Sequence, residues 1–356
     1  MEKYGRDFKY EDFTKLWKAE CWSPEQWAKL FKEAGAGYVV LTAKHHDGYC
    51  LFDSSYSDYN CVLTGPGRDI VGELSDAVRA EGIKMGLYYS GMIDWRFYPE
   101  PQFIQEDRID CPTWEYADYA FKQSMELIDK YHPSVFWNDI GWPYAGEAQL
   151  PYLLAHYYNS CLDGIVDDRF NGLHKDFSTR EYQTGRMDRG EKWEMCRGLG
   201  LSFGYNAMED ESTVVPAHRL IGLLVSTVAN NGNLLINIGP RADGTIPEIQ
   251  AGRLKALGAW LKINGEGIYG TKPAPRESAK QNGAELHFTQ KSHHLYIFVD
   301  SEQDGDVSVF LNGVSNAPQP LDKRTQFEFT LADCGGRLTL RNHDHCNGAV
   351  AFRCPN

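Results

Sequence analysis

Over roughly the first two-thirds of the chain, short apolar runs alternate with longer stretches whose apolar residues recur at helical spacing. Ser23-Pro24 offers an N-cap followed by a first-turn proline, which predicts a helix leading into the buried strand Tyr38-Val39-Val40-Leu41. Residues 69–81 predict a second helix, running into the strand 83–89. A helix over 114–131 precedes Ser134-Val135-Phe136-Trp137, and a helix near 146–161 precedes the short strand Gly164-Ile165-Val166. Further on, 212–230 predicts a helix, 234–238 a strand and 248–263 another helix. Repeated strand–helix units imply parallel strands joined by right-handed crossovers. Two architectures satisfy that pattern, a (β/α)8 barrel and a doubly wound sheet. Polar residues cluster just after the strands, at Lys44-His45-His46-Asp47, Asn138-Asp139 and Asp167-Asp168-Arg169. Both architectures put their sites at the carboxyl ends of strands, so the clusters locate a site without choosing the fold.

Beyond the linker-like Thr271-Lys272-Pro273-Ala274-Pro275 the period shortens. Residues 285–290, 295–300, 307–311, 326–331 and 337–341 read as strands separated by turns. The expected division is an α/β domain over 1–270 and a small antiparallel β-sandwich domain over 271–356.

Composition narrows the function. A chain of 356 residues accommodates one barrel with a small appended domain. Its formal net charge of -13 disfavours nucleic acid and anionic membrane as partners, since both would repel it. The nine cysteines contain no CxxC pair, and His343, His345, Cys346 and Cys354 are a weak metal candidate, so no metal is expected. Neither GxGxxG nor GxxxxGK[ST] occurs, so no nucleotide cofactor is expected. The amino-terminal residues carry no apolar signal segment, and the expected location is cytoplasmic. Gly239-Pro240-Arg241-Ala242-Asp243-Gly244 reads as a tight turn, hence scaffold.

Glycoside cleavage by the usual route needs two carboxyl groups flanking the scissile bond. Phe136-Trp137-Asn138-Asp139-Ile140-Gly141-Trp142-Pro143 places one carboxylate at a strand end between two tryptophans. Spacing alone favours Asp139 as a cap of the following helix or turn. It does not identify a partner among 49 Asp and Glu residues.

Several segments resemble glycoside hydrolase family 29, the α-L-fucosidases. They are Ala43-Lys44-His45-His46-Asp47-Gly48-Tyr49-Cys50-Leu51, Gly86-Leu87-Tyr88-Tyr89-Ser90 and the 136–143 stretch. Trp193-Glu194 with Ser202-Phe203-Gly204-Tyr205-Asn206, and the run 232–240, complete the set in the family's order. The resemblance implies a barrel, a soluble exo-acting retaining α-L-fucosidase and a fucosylated glycan or small fucoside as substrate. It implies Asp139 as nucleophile and, from Arg180-Glu181-Tyr182, Glu181 as general acid/base, with Glu194 as the rival. His45 and His46 become hydroxyl-binding groups. Adjacent on an extended strand end, they are expected to point to opposite sides. Tyr88 is placed near the nucleophile, and Arg169 on fucose or a carboxylate. Trp137 and Trp142 are expected to face the C6 methyl that separates fucose from galactose. A related sugar, or fucose binding without turnover, are the alternatives.

The chain departs from the family in lacking a His-Trp-Gly segment and the following loop with its Glu and Trp. The expectation is an incomplete barrel, for which three explanations stand: a truncated and inactive chain, a gap filled by the C-terminal domain, or, the preferred one, a missing wall supplied by association between chains in a homo-oligomer.

Overall fold

The computed structural model describes residues 4–97, 113–183 and 190–355. The chain divides into two compact units, one of residues 1–32, 36–178 and 240–246, the other of 33–35, 179–239 and 247–356.

The first unit opens with the short helix α1 (Phe13–Leu16), then α2 (Pro24–Ala34), and is built on β1 (Tyr38–Lys44), β2 (Lys84–Ser90), β3 (Val135–Asp139) and β4 (Ile165–Val166). These four strands form one parallel sheet in sequence order. The helices α3 (Ile70–Ala80), α4 (Trp114–Tyr131) and α5 (Leu150–Ser160) make the crossovers between them. Local chemistry sets their ends. Asp69 accepts the Gly72 amide hydrogen as N-cap of α3, and Thr113 does the same for Tyr116 at α4. One face of the sheet is apolar along most of its length, where Val135, Trp137 and Phe177 pack with Tyr38, Val40 and Tyr88. Side chains alternate along a strand, so Trp137 and Asp139 share this face and the apolar surface ends on a carboxylate. The turn 240–246 packs in this unit: the Trp27 indole donates to the Gly244 carbonyl, and the Cys21 amide to that of Asp243.

The second unit holds β5 (Ser178–Glu181, which crosses from the first), β6 (Trp193–Gly198), α6 (Ala217–Ala229), β7 (Gly232–Asn237) and α7 (Glu248–Asn264). β5, β6 and β7 form a sheet in which β6 and β7 run parallel. Antiparallel strands follow: β8 (Lys272–Pro273), β9 (Ala279–Gln281), β10 (Ala284–Lys291), β11 (His294–Ser301), β12 (Gly305–Asn312), β13 (Gln319–Pro320), β14 (Phe327–Ala332), β15 (Gly335–His343) and β16 (Val350–Pro355). They make a six-stranded sheet and the three-stranded sheet β12-β15-β14. Leu286, Ile297, Val309, Leu338 and Phe352 lie in one apolar core drawn from both sheets, which makes this a sandwich. Among the described residues the parallel strands form these two separate sheets, not one closed ring of eight.

The helix expected over 212–230 begins only at Ala217. The Asp210 carboxylate accepts from the Ser212 amide and hydroxyl, which gives residues 210–213 a turn instead of a helical start. Among the described residues no helix is long and apolar enough to cross a membrane.

Candidate active site

At the carboxyl ends of β1 to β3 the side chains converge on Asp139, the last residue of β3 and buried. Its two oxygens meet different donors. Oδ1 accepts from the Ile140 amide at 2.8 Å and pairs with the Arg169 guanidinium, while Oδ2 accepts from the Tyr88 hydroxyl at 2.5 Å. Three donors and no acceptor suit an ionised carboxylate. Ile140 itself has φ +63°, and Gly141 follows at +98°. A β-branched residue in the left-handed region is strained, and that strain turns the backbone so that the Ile140 N–H faces back on Asp139.

Asn138, fully buried, ties this turn to its neighbours. Its amide donates to the Gly141 carbonyl at 3.0 Å and to the Arg169 carbonyl at 2.7 Å. Asn171 clamps the next residue in both directions, accepting from the Trp142 amide at 2.9 Å and donating to the Trp142 carbonyl at 3.0 Å. Arg169 is thereby fixed against the nucleophile candidate. Its guanidinium lies 4.6 Å from the Trp137 ring centre.

An aromatic stack runs across the strand ends. Tyr88 and Trp137 are register partners on β2 and β3, with ring centres 5.4 Å apart and nearly parallel. His45 stacks on Tyr88 at 5.5 Å. His45 and His46 do not point to opposite sides as expected. Their rings lie 4.0 Å apart, because β1 ends at Lys44 and the pair sits in a turn closed by the Gly48 amide donating to the His45 carbonyl. The periodicity of an extended strand does not apply there. Burial pushes the His46 imidazole down to about 4, with His45 the next cause, and burial also lowers His45. Both rings are therefore neutral at pH 7 and able to pair with hydroxyl groups.

The two tryptophans do not line an open surface. Trp142 is fully buried and stacks on Phe170, so it has no face to offer a sugar. Trp137 is 3% exposed, covered by Tyr88 and Arg169. Trp142 packs behind the carboxylate, which corrects the expectation that it meets a methyl group, while Trp137 stays on the face it shares with Asp139.

Glu181 ends β5 in the second unit and is exposed. Tyr182 next to it has φ +53°, donates its amide hydrogen to the Cys196 carbonyl and accepts from the Gly198 amide at its hydroxyl. This pins the chain leaving Glu181 to β6. Glu194, on β6, is 1% exposed. The sequence also allows Glu181 to be a surface residue paired with Arg180 or Arg186, of which Arg186 lies outside the described residues.

Three residues that stood in the motifs without a role of their own also bear on the site. Ser90, buried at the end of β2, contacts His46, and Asn138 holds the turn. Lys44, fully buried beside the histidines, pairs with Asp94 at 3.3 Å and lies 4.4 Å from the Tyr89 ring centre. Ser90 and Asn138 stand beside noticed residues at strand ends, and that adjacency was the available signal. Of the metal candidates, His343 bonds the Ser301 carbonyl and Cys354 is buried in β16. The carboxylate, imidazole and thiol that come close together there belong instead to Asp344, His345 and Cys346.

The family model described as Alpha-L-fucosidase matches residues 1–266. An Alpha-L-fucosidase of Dictyostelium discoideum is 34% identical over 328 residues, spanning 88% of this chain and 70% of that protein. The structure resembles that of Thermotoga maritima alpha-fucosidase in complex with a mechanism based inhibitor, with TM-score 0.90 and 42% identity. That match covers 100% of this chain and 84% of the other. Alpha-L-fucosidase isoenzyme 1 from Paenibacillus thiaminolyticus follows at TM-score 0.82 and 29% identity, covering 97% and 89%. These likenesses are to a barrel with an appended sandwich, the architecture expected from the sequence.

Proposed function

Because the chain belongs to the alpha-L-fucosidase family, we propose that it hydrolyses terminal α-L-fucosides with retention, using Asp139 as nucleophile and Glu181 as general acid/base. The observation that carries the assignment of Asp139 is its position. It is a buried carboxylate at a strand's carboxyl end, held at both oxygens by donors on three separate segments. Such a group is oriented before substrate arrives, so little ordering remains for the reaction itself.

In the first step an Asp139 oxygen bonds to the anomeric carbon as the bond to the leaving oxygen breaks. Glu181 gives that oxygen its proton. In the second, Glu181 takes a proton from water, the water oxygen bonds to the anomeric carbon, and Asp139 leaves. Arg169 and Tyr88 hold the carboxylate in line, and His45 and His46 engage ring hydroxyls. The exposure of Glu181 supports its role, since an acid/base must reach both a leaving group and water. Glu194 is enclosed and suits a supporting place instead.

Asp139→Gly should abolish nearly all turnover of a nitrophenyl fucoside. Glu181→Ala should be slow and be partly restored by azide, which needs no proton removed. Near-normal activity in Glu181→Ala would reject that residue and make Glu194 the next to test. Faster turnover of the nitrophenyl galactoside than of the fucoside would overturn the choice of sugar.

A further inference from the structure

We propose that Ser90 is a positioning residue that fixes the tautomer of His46, so that His46 accepts a hydrogen bond from a substrate hydroxyl at Nε2 and does not donate one. The case is a count of hydrogens. The Ser90 hydroxyl lies 2.8 Å from the Ile93 carbonyl and 2.7 Å from His46 Nδ1. A carbonyl oxygen cannot donate, so a bare Nδ1 would leave two acceptors sharing one hydroxyl hydrogen; both short contacts are hydrogen bonds only when the hydroxyl donates to Ile93. The short contact to His46 then needs its hydrogen from the other side, and Nδ1 must carry it. In a neutral imidazole with hydrogen on Nδ1, Nε2 is a bare lone pair. Burial keeps the ring neutral, in agreement with the depressed pKa above.

The backbone holds this relay in place. Ser90 is fully buried and is the register partner of Asp139 on β3. The Trp95 amide donates to the His46 carbonyl at 2.8 Å, which links the 93–95 turn, carrying the acceptor for Ser90, to the histidine itself. Removing the Ser90 hydroxyl leaves Nδ1 without its acceptor and frees the ring to place its hydrogen on either nitrogen.

The consequence for the sugar rests on the reading of this cleft as the fucose site. The hydroxyl that meets His46 must act as donor there. A fluorine at that carbon, which can accept but not donate, should then bind no better than hydrogen. At a carbon whose hydroxyl only accepts, fluorine should retain part of the affinity.

The tautomer is read without substrate, from the imidazole nitrogen shifts of protein labelled with nitrogen-15 in histidine, His46 being assigned by its loss in His46→Asn. The expected result is hydrogen on Nδ1 in the parent protein and in Ser90→Thr, with Ser90→Ala showing a mixture. Hydrogen on Nε2 in the parent overturns the proposal, whether or not any variant folds. The second measurement compares fucose with its C3 and C4 deoxy and fluoro analogues by calorimetry. One position should lose about tenfold in affinity in both analogues, the scale of one hydrogen bond. That loss should shrink in Ser90→Ala and return in Ser90→Thr. Fluorine matching hydroxyl at both positions overturns the proposal. If fucose itself does not bind while the nitrogen shifts stand, the reading of the cleft fails and the tautomer assignment survives.

Discussion

Adding one methyl group at Gly91 should damage both stability and turnover. A Cβ there would sit 2.2 Å from Asn138 Oδ1, 2.5 Å from the Gly141 carbonyl oxygen and 3.1 Å from Asn138 Cγ. One of these atoms is backbone, and the others belong to a fully buried side chain held by two bonds, so none moves cheaply. Overpacking of this kind costs about 1–3 kcal/mol. If the Asn138 amide is also forced off the Gly141 and Arg169 carbonyls, each lost bond adds about 0.5–1.5 kcal/mol. The expected destabilisation of Gly91→Ala is therefore about 2–6 kcal/mol. Because the Gly91 amide donates to the Asp139 carbonyl at 3.2 Å, the displacement reaches the proposed nucleophile. A shift near 1 Å costs about 10²-fold in rate. Guanidinium unfolding and kcat on a nitrophenyl fucoside, both corrected for the folded fraction, measure the two effects. In the double variant with Asn138→Ala, two of the three close contacts disappear, so the combined loss should fall below the sum of the singles. A Gly91→Ala protein within about 0.5 kcal/mol of the parent and unimpaired in kcat would refute the argument.

Tyr88→Phe keeps the ring stacked on Trp137 but removes the donor to Asp139 Oδ2; a hydrogen bond to a charged group, worth about 1.5–3 kcal/mol, predicts a fall in kcat/KM of about tenfold to a hundredfold. Arg169→Lys keeps the charge and loses the planar group over Trp137, and kcat/KM should drop about 10²-fold with little change in the unfolding midpoint. Ile140→Gly relieves a left-handed β-branched residue and should raise stability by about 1 kcal/mol while lowering kcat, since the Ile140 amide is then less firmly held on Asp139; calorimetric Tm and steady-state rates test the pair of signs. The histidine pair predicts acid sensitivity. His46 titrates near 4 when folded and near its ordinary value of about 6.5 when unfolded, so protons favour the unfolded chain and stability declines as pH falls between those values. His46→Asn should flatten that part of the pH–stability curve.

The regular elements were legible where one face is buried and the other wet. α3, α4 and the strands of the first sheet follow the apolar period because burial alone sets their limits. β6 escaped notice for the opposite reason. Trp193, Glu194, Met195 and Cys196 are all buried, so both faces are covered and no alternation survives in the sequence. β5 is four residues long and exposed at its end, too short to carry a pattern. The antiparallel strands β10, β11, β12, β14 and β15 were legible because turns punctuate them, whereas the short β9 and β13 and the last strand β16 were not marked.

The site was legible as residue types at strand ends, and illegible wherever geometry depends on a contact distant in sequence. Asp139 stood out as a carboxylate at a strand end, but spacing left it open to a capping role and only the family resemblance singled it out. What makes it a poised group is supplied by Arg169, thirty positions on, and Tyr88, fifty-one positions back. The histidines and tryptophans show the same limit in reverse. Reading His45 and His46 as strand residues put their rings apart, and reading Trp142 as an aromatic platform put it in the open. Each inference assumed that a local period continued or that an aromatic near a site must face it. For Trp142, the turn at Ile140 and Gly141 is the physical reason the second assumption fails. By reversing the backbone immediately after Asp139, it brings the Ile140 amide onto the carboxylate while Trp142 packs behind on Phe170. One strained residue thus selects which side chains face the cleft, and a strained dihedral leaves no periodic trace in a sequence.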